Sequence, residues 1–176
     1  MGFGEPDRHD RRVSELCIEI GRELGMSPAD QLILSGAGLM HDIGKLGIPR
    51  AILHKQGPLT EAEWRVMKTH PQIGITILGG RSRMTREMLG ILYHHERMDG
   101  SGYPHGLISS EIPIEARIVA VADTYDVLTS DRPYRSAFTH FAALRTVLLD
   151  AGPLLDPEVV AALQRVLSVR REGIVA

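Results

Sequence analysis

Apolar residues recur along this chain with the three-and-four spacing of α-helices, and no stretch alternates in a way that reads as a strand pair. Val13, Leu16, Cys17, Ile20 and Leu24 form one such stripe and predict a first helix. Ser27 followed by Pro28 reads as an N-cap with proline at the first helical position, opening a second helix through Leu32, Ile33 and Leu39 toward Ile43. Residues 44–59 carry Pro49, Gly57 and Pro58 and read as a loop. Thr60 and Glu63 have capping-box spacing, and the third helix they begin is expected to carry Trp64, Met67, Ile73 and Ile77 on one side. A fourth helix is predicted over roughly Ser82 to Glu96, around Met84, Met88, Ile91 and Leu92. Residues 99–112 form a second loop, with three glycines and Pro104. Pro113 starts a fifth helix reaching about Thr129, apolar nearly all round (Ile114, Ile118, Val119, Val121, Val127, Leu128) and therefore central. Thr139 caps a sixth helix and Asp156-Pro157 starts a seventh. The pattern predicts an all-α fold, a single-domain bundle of about seven helices over residues 1–176 with its core at about 5–168.

Composition narrows the function. A chain of 176 residues, 43% hydrophobic and 24% charged, reads as one globular domain with a sizeable core. The net charge of −2 gives no bulk drive toward polymeric nucleic acid or an anionic membrane, so an anionic ligand has to be held by local charges or by metals. The single cysteine, Cys17, excludes an intrachain disulfide and a thiolate zinc cluster, and its place in the first apolar stripe marks it as a small core residue. No apolar stretch is long enough to span a bilayer, and Met1 to Asp10 has no apolar signal-peptide region; a cytoplasmic location is the expectation.

The histidines carry the chemistry. His94 and His95 end the fourth helical pattern, and a glycine-rich turn follows at once in Asp99-Gly100-Ser101-Gly102-Tyr103-Pro104. His41-Asp42 ends the second helix, His70 falls on the inner side of the third, and His9 continues the stripe of the first, with Glu5 four residues before it. Asp123 lies within the central fifth helix, where an unpaired carboxylate is expensive. A single inward histidine is more often a satisfied core residue than a ligand. Five helices sending such groups toward one centre is a different case, because a cation pairs them all. Imidazole and carboxylate suit borderline and hard divalent metals, and two His/Asp pairs suggest a polynuclear site. His54, His105 and His140 read as surface residues.

These residues, in order, resemble the HD-GYP phosphodiesterases, a branch of the HD metal-dependent phosphohydrolases. The matching positions are His9 with Arg12-Val13; His41-Asp42-Ile43-Gly44-Lys45 with Ile48-Pro49; Leu59-Thr60; His70-Pro71; His94-His95-Glu96 with Asp99-Gly100 and Gly102-Tyr103-Pro104; Asp123 with Asp126; and Asp131 through Arg135. The match runs from about Glu5 to Asp156-Pro157.

The resemblance implies metal-dependent hydrolysis of cyclic di-GMP to pGpG, with GMP as a further product left open. It implies two or three metals per chain, held by His9, His41, Asp42, His70, His94, His95 and Asp123, with Asp42 bridging and Glu5 accompanying a third metal. Pro6 and the nearby chain end weigh against Glu5, whose other reading is a solvated charge. A sulfur-free N/O set suits iron or manganese without excluding nickel, cobalt or zinc. Lys45 reads as a point charge for a substrate phosphate, or as a solvated loop lysine. Arg132 and Arg135 suit phosphate oxygens or guanine edges, or a structural salt bridge to Asp131 or a loop carbonyl. Tyr103 either stacks on a base or packs the loop onto the bundle, the second being the first choice; Glu96 and Asp99 either orient ligand histidines or tie down the loop. The partners implied are cyclic di-GMP and sensor, receiver or diguanylate cyclase domains, with a homodimer left open. A non-catalytic cyclic di-GMP or protein-binding module, an HD-type di-iron oxygenase and a nucleotide phosphohydrolase are the alternatives.

Overall fold

Helix caps written into the sequence set most of the elements. The structure, a computed structural model, describes residues 8–80, 83–131 and 136–172. The helices there are α1 (Arg8–Glu23), α2 (Pro28–Met40), α3 (Arg50–Leu53), α4 (Glu61–Met67), α5 (His70–Ile77), α6 (Arg86–Tyr93), α7 (Ile114–Thr129), α8 (His140–Asp150) and α9 (Pro157–Glu172). Short 3-10 turns cover Ile43–Gly47 and Ser109–Glu111. The only β-pairing among the described residues is two isolated bridges, Asp99 with Ile108 and Ala151 with Leu155. The all-α expectation holds, with nine helices among the described residues in place of about seven.

The caps act as their residue types dictate. Ser27 accepts the amide of Asp30, and Thr139 that of Ala142. Thr60 and Glu63 form the reciprocal capping box. Asp156 Oδ1 accepts the amides of Glu158 and Val159 at the start of α9, while Oδ2 takes Arg117 Nη1 at 2.6 Å.

α7 is the central helix, packed against α1, α2, α6, α8 and α9. Its Ile118, Val119, Val121 and Ala122 are fully buried among Val13, Cys17 and Ile20 of α1, Leu34 of α2, Val147 of α8 and Leu163 of α9. Each such Val, Leu or Ile side chain contributes about 1.5–3 kcal/mol over its exposed state.

Three sequence expectations need correction. The third helix is two helices. Pro71 has no N–H to give the carbonyl of Met67 four residues back, so the chain breaks and restarts at His70. Trp64 and Ile77, on the two separate helices, are about half exposed rather than on a shared buried face. The fourth helix begins at Arg86, capped by Thr85, and stops at Tyr93, leaving Met84 outside it; Ser82 lies outside the described residues. The 44–59 loop contains most of a 3-10 turn and the short α3.

That 3-10 turn lies directly on α5. A Cβ built on Gly44 would stand 1.7 Å from the carbonyl oxygen of His70 and 2.6 Å from the nitrogen of Gly74. Only glycine permits this approach, which sets the segment after His41-Asp42 against the start of the helix that begins with His70. Among the described residues no helix is long and apolar enough to cross a membrane.

Candidate metal centre

The helix ends position the site. His41 follows the last turn of α2, His94 that of α6, and His70 follows the break after α4. The last carbonyls of a helix lack intrahelical donors. Each of these imidazoles supplies one: Nδ1 of His41 donates to Gly38 O (2.8 Å), that of His70 to Met67 O (2.9 Å) and that of His94 to Ile91 O (2.7 Å). A carbonyl only accepts, so Nδ1 holds the proton and, in the neutral ring, Nε2 presents its lone pair. All three rings are 1% exposed, and none of the three Nε2 atoms has a hydrogen-bond partner. Three buried polar atoms left open in this way require an explanation.

They converge. Asp42 sends Oδ1 to within 3.3 Å of His70 Nε2 and Oδ2 to within 3.4 Å of His41 Nε2. His94 stands between His41 (ring centroids 5.2 Å apart) and His70 (5.5 Å), with His95 5.0 Å from His70. On the α1 side, His9 Nε2 is 3.3 Å from Asp123 Oδ1, which is itself 3.8 Å from His41 Nε2. Two groups of donor atoms each lie within 4.8 Å of one another: Asp42, His70, His94 and His95, and His9, Asp10, His41 and Asp42. Asp42 belongs to both and offers one oxygen toward each side.

Electrostatics divide the cluster. Burial pushes the pKa of His70, His94 and His95 down, that of His94 to about 3, so these rings are neutral. Burial opposes ionisation of Asp42 as well, yet His41 and Lys45 hold its carboxyl well below the usual range. For His9, burial is outweighed by hydrogen bonds to Asp123 and Asp126, which raise its pKa to about 9. The carboxylates of Asp42 and Asp123 thus face a concentration of imidazoles in a nearly dry space, the donor chemistry of a divalent metal site.

The expected residues His9, His41, Asp42, His70, His94, His95 and Asp123 are brought together. Lys45 is at the edge, ion-paired to Asp42 with its side chain 40% exposed. Glu5, Arg132 and Arg135 lie outside the described residues. His54, His105 and His140 are exposed, as expected, although His140 Nδ1 lies 2.7 Å from the Tyr125 hydroxyl. Glu96 settles into the second of its two readings: its buried carboxylate accepts the amides of His105, Gly106 and Leu107 and fastens the loop. Asp99 accepts the amide of Ser101 in the same loop. Tyr103 packs as expected, stacked on His95 with ring centroids 4.6 Å apart.

Two acids escaped the sequence reading of the site. Asp126 was visible only as part of the family pattern, and Asp10 adjoins His9 without any periodic signal. The carbonyl partners of the three histidines were legible in principle, each lying three residues before its ring at a helix end.

Comparison with known proteins agrees with this geometry. A family model described as the HD domain matches residues 4–159. The chain is 47% identical over 156 residues to the cyclic di-GMP phosphodiesterase response regulator RpfG of Xanthomonas campestris pv. campestris, covering 88% of this chain and 41% of that protein. It is also 47% identical over 161 residues to a cyclic di-GMP phosphodiesterase of Thermotoga maritima, covering 90% and 44%. The chain therefore spans less than half the length of these curated relatives. A crystal structure of a cyclic GMP-AMP-specific phosphodiesterase of V. cholerae shares the fold at a TM-score of 0.72 and 19% identity, over 96% of this chain and 45% of that one. With its matched length and its clustered His/Asp centre, the chain belongs to the HD domain family.

Proposed function

We propose that this chain, as one HD-GYP domain, forms the hydrolytic part of a metal-dependent phosphodiesterase that opens cyclic di-GMP to pGpG; a second cut would release GMP. The observation that carries the reading is the set of three buried Nε2 atoms without partners, gathered around both oxygens of Asp42. Relatives named for cyclic di-GMP hydrolysis supply the substrate class.

His70, His94, His95 and Asp42 would hold one divalent cation, and His9, His41, Asp123 and Asp42 a second, with iron or manganese the best match to an N/O set. Glu5 would accompany a third. Such cations activate water near neutral pH and offset charge on the phosphoryl oxygens. The protein's part is placement: the carbonyl bonds to Nδ1 lock ring orientation, and burial keeps bulk water out. Lys45 serves as a point charge for a substrate phosphate, and Arg132 and Arg135 as further anion contacts. Sensor, receiver or diguanylate cyclase domains would make up the rest of a longer protein and set its activity, with a homodimer as a further level of assembly.

The test is turnover. Protein loaded with Fe(II) under anaerobic conditions, or with Mn(II), should convert cyclic di-GMP to pGpG on chromatography. Absence of product with both metals overturns the reading, and oxygen uptake coupled to product formation would point to an oxygenase instead.

A further inference from the structure

The sole tryptophan of the chain, Trp64, stands 48% exposed on α4. It lines a groove of about 790 Å³ together with Glu61, Arg65, Lys68, Arg97 and Tyr103. That volume falls within the range of roughly 300–1,000 Å³ typical of small-molecule sites. His95 lines the same groove, so it opens onto the candidate metal centre.

Its charge runs against that of the molecule. Three cations, Arg65, Lys68 and Arg97, face one carboxylate, Glu61, in a chain of net charge −2. Both walls are firm. On one side α4 is fixed by the Thr60/Glu63 capping box, with Lys55 paired to Glu63. On the other, Tyr103 stacks on His95, and Glu96 clamps the following loop through three amides. Lys68 Nζ sits 5.4 Å from the Tyr103 ring centroid, held in the groove by the ring face. An exposed indole beside three cations matches a ligand with a π-face next to negative charge.

We propose that this groove is a nucleobase subsite: one base of an anionic nucleotide stacks on Trp64, and Lys68, Arg65 and Arg97 meet its adjoining phosphate. The assignment rests on the phosphodiesterase reading for its substrate, with one phosphate at the metal centre and a base reaching along α4.

Because Trp64 is the only indole, its emission reports the subsite directly. Titration of the metal-loaded chain with pGpG should quench that emission saturably, while inorganic phosphate at equal concentration should not. Trp64→Ala should raise KM for cyclic di-GMP roughly five- to 150-fold, the range expected for loss of one stacked base. Trp64→Phe should restore most of the loss. Metal content should stay at wild-type values in both variants, so that the loss falls on KM rather than on kcat. The subsite is overturned by no quenching with pGpG, by equal quenching with phosphate, by an unchanged KM, or by a fall in metal content that accompanies the loss. If pGpG quenches but wild-type protein hydrolyses no cyclic di-GMP, the subsite stands and the proposed reaction fails. If cyclic di-GMP is hydrolysed without quenching, the reverse holds.

Discussion

Nδ1 of His9 lies 2.7 Å from Oδ2 of Asp126, a residue 117 positions later in the chain. Arg12, one turn along α1 from His9, grips the same carboxylate with Nε at 2.5 Å and Nη2 at 2.9 Å. Burial works against the charge on Asp126, but His9 and Arg12 outweigh it and bring its pKa to about 2. A permanently ionised carboxylate therefore fixes the imidazole and leaves Nε2 facing Asp123. His9 thus takes from a side chain of α7 what the other three buried rings take from helix-end carbonyls. Partners of this kind contribute roughly 10–100-fold in metal affinity. Asp126→Asn should weaken one of the two proposed metal positions by that factor in a chelator competition and leave the other intact. Unchanged affinity at both positions would remove Asp126 from the centre.

Asp42 and Lys45 separate two roles. His41→Ala or Asp42→Ala should lose bound metal and all turnover, since Asp42 faces both histidine groups. Lys45→Ala removes a half-exposed cation at the rim. It should keep its metal and turn over more slowly. Elemental analysis of the three variants beside their rates checks this, and equal metal loss in all three would contradict the assignment.

Gly44 is a steric requirement of the fold. Its missing Cβ leaves room for backbone atoms of α5 that cannot move as a side-chain tip would. Gly44→Ala should cost about 1–3 kcal/mol, as overpacking does. It should also shift His70 relative to Asp42, lowering Tm and metal occupancy together. A variant with wild-type Tm and occupancy would show that the 43–47 turn can slide without consequence.

Glu63 supplies a pH-dependent contribution at the start of α4. The hydrogen bond from Lys55 and that from the Thr60 amide bring its pKa from 4.5 to about 2. A depressed carboxyl stabilises the fold above its unfolded pKa, and that contribution is lost as pH falls through the folded value. Wild-type protein should therefore exceed Glu63→Gln in Tm at neutral pH, with the difference shrinking as pH drops from about 4.5 toward 2. A difference independent of pH would assign the effect to shape rather than charge.

Much of this was legible before any coordinates, for identifiable reasons. Ser27, Thr60, Thr139 and Asp156 cap helices through local chemistry, so their starts read directly. The central place of α7 followed from its all-round apolar surface. The break at His70 was missed because apolar spacing continues through it, whereas Pro71 and the Met67 carbonyl decide the matter. His9, His41, His70 and His94 were visible as residue types at helix ends or on inner faces. The asymmetry between them was not, because one is oriented by Asp126 across the fold and three by carbonyls within their own turns. Nothing in the spacing marked Trp64 as exposed; it sits on α4, a short helix that buries none of its residues.

The most direct measurement is elemental analysis of wild-type protein prepared anaerobically with Fe(II) or Mn(II), beside a His94→Ala variant that removes one unpartnered Nε2. Two or more tightly held divalent ions per wild-type chain, with a clear deficit in the variant, is the predicted result. A folded wild-type chain that retains less than one equivalent of either metal would contradict the claim that these buried imidazoles and carboxylates exist to hold cations.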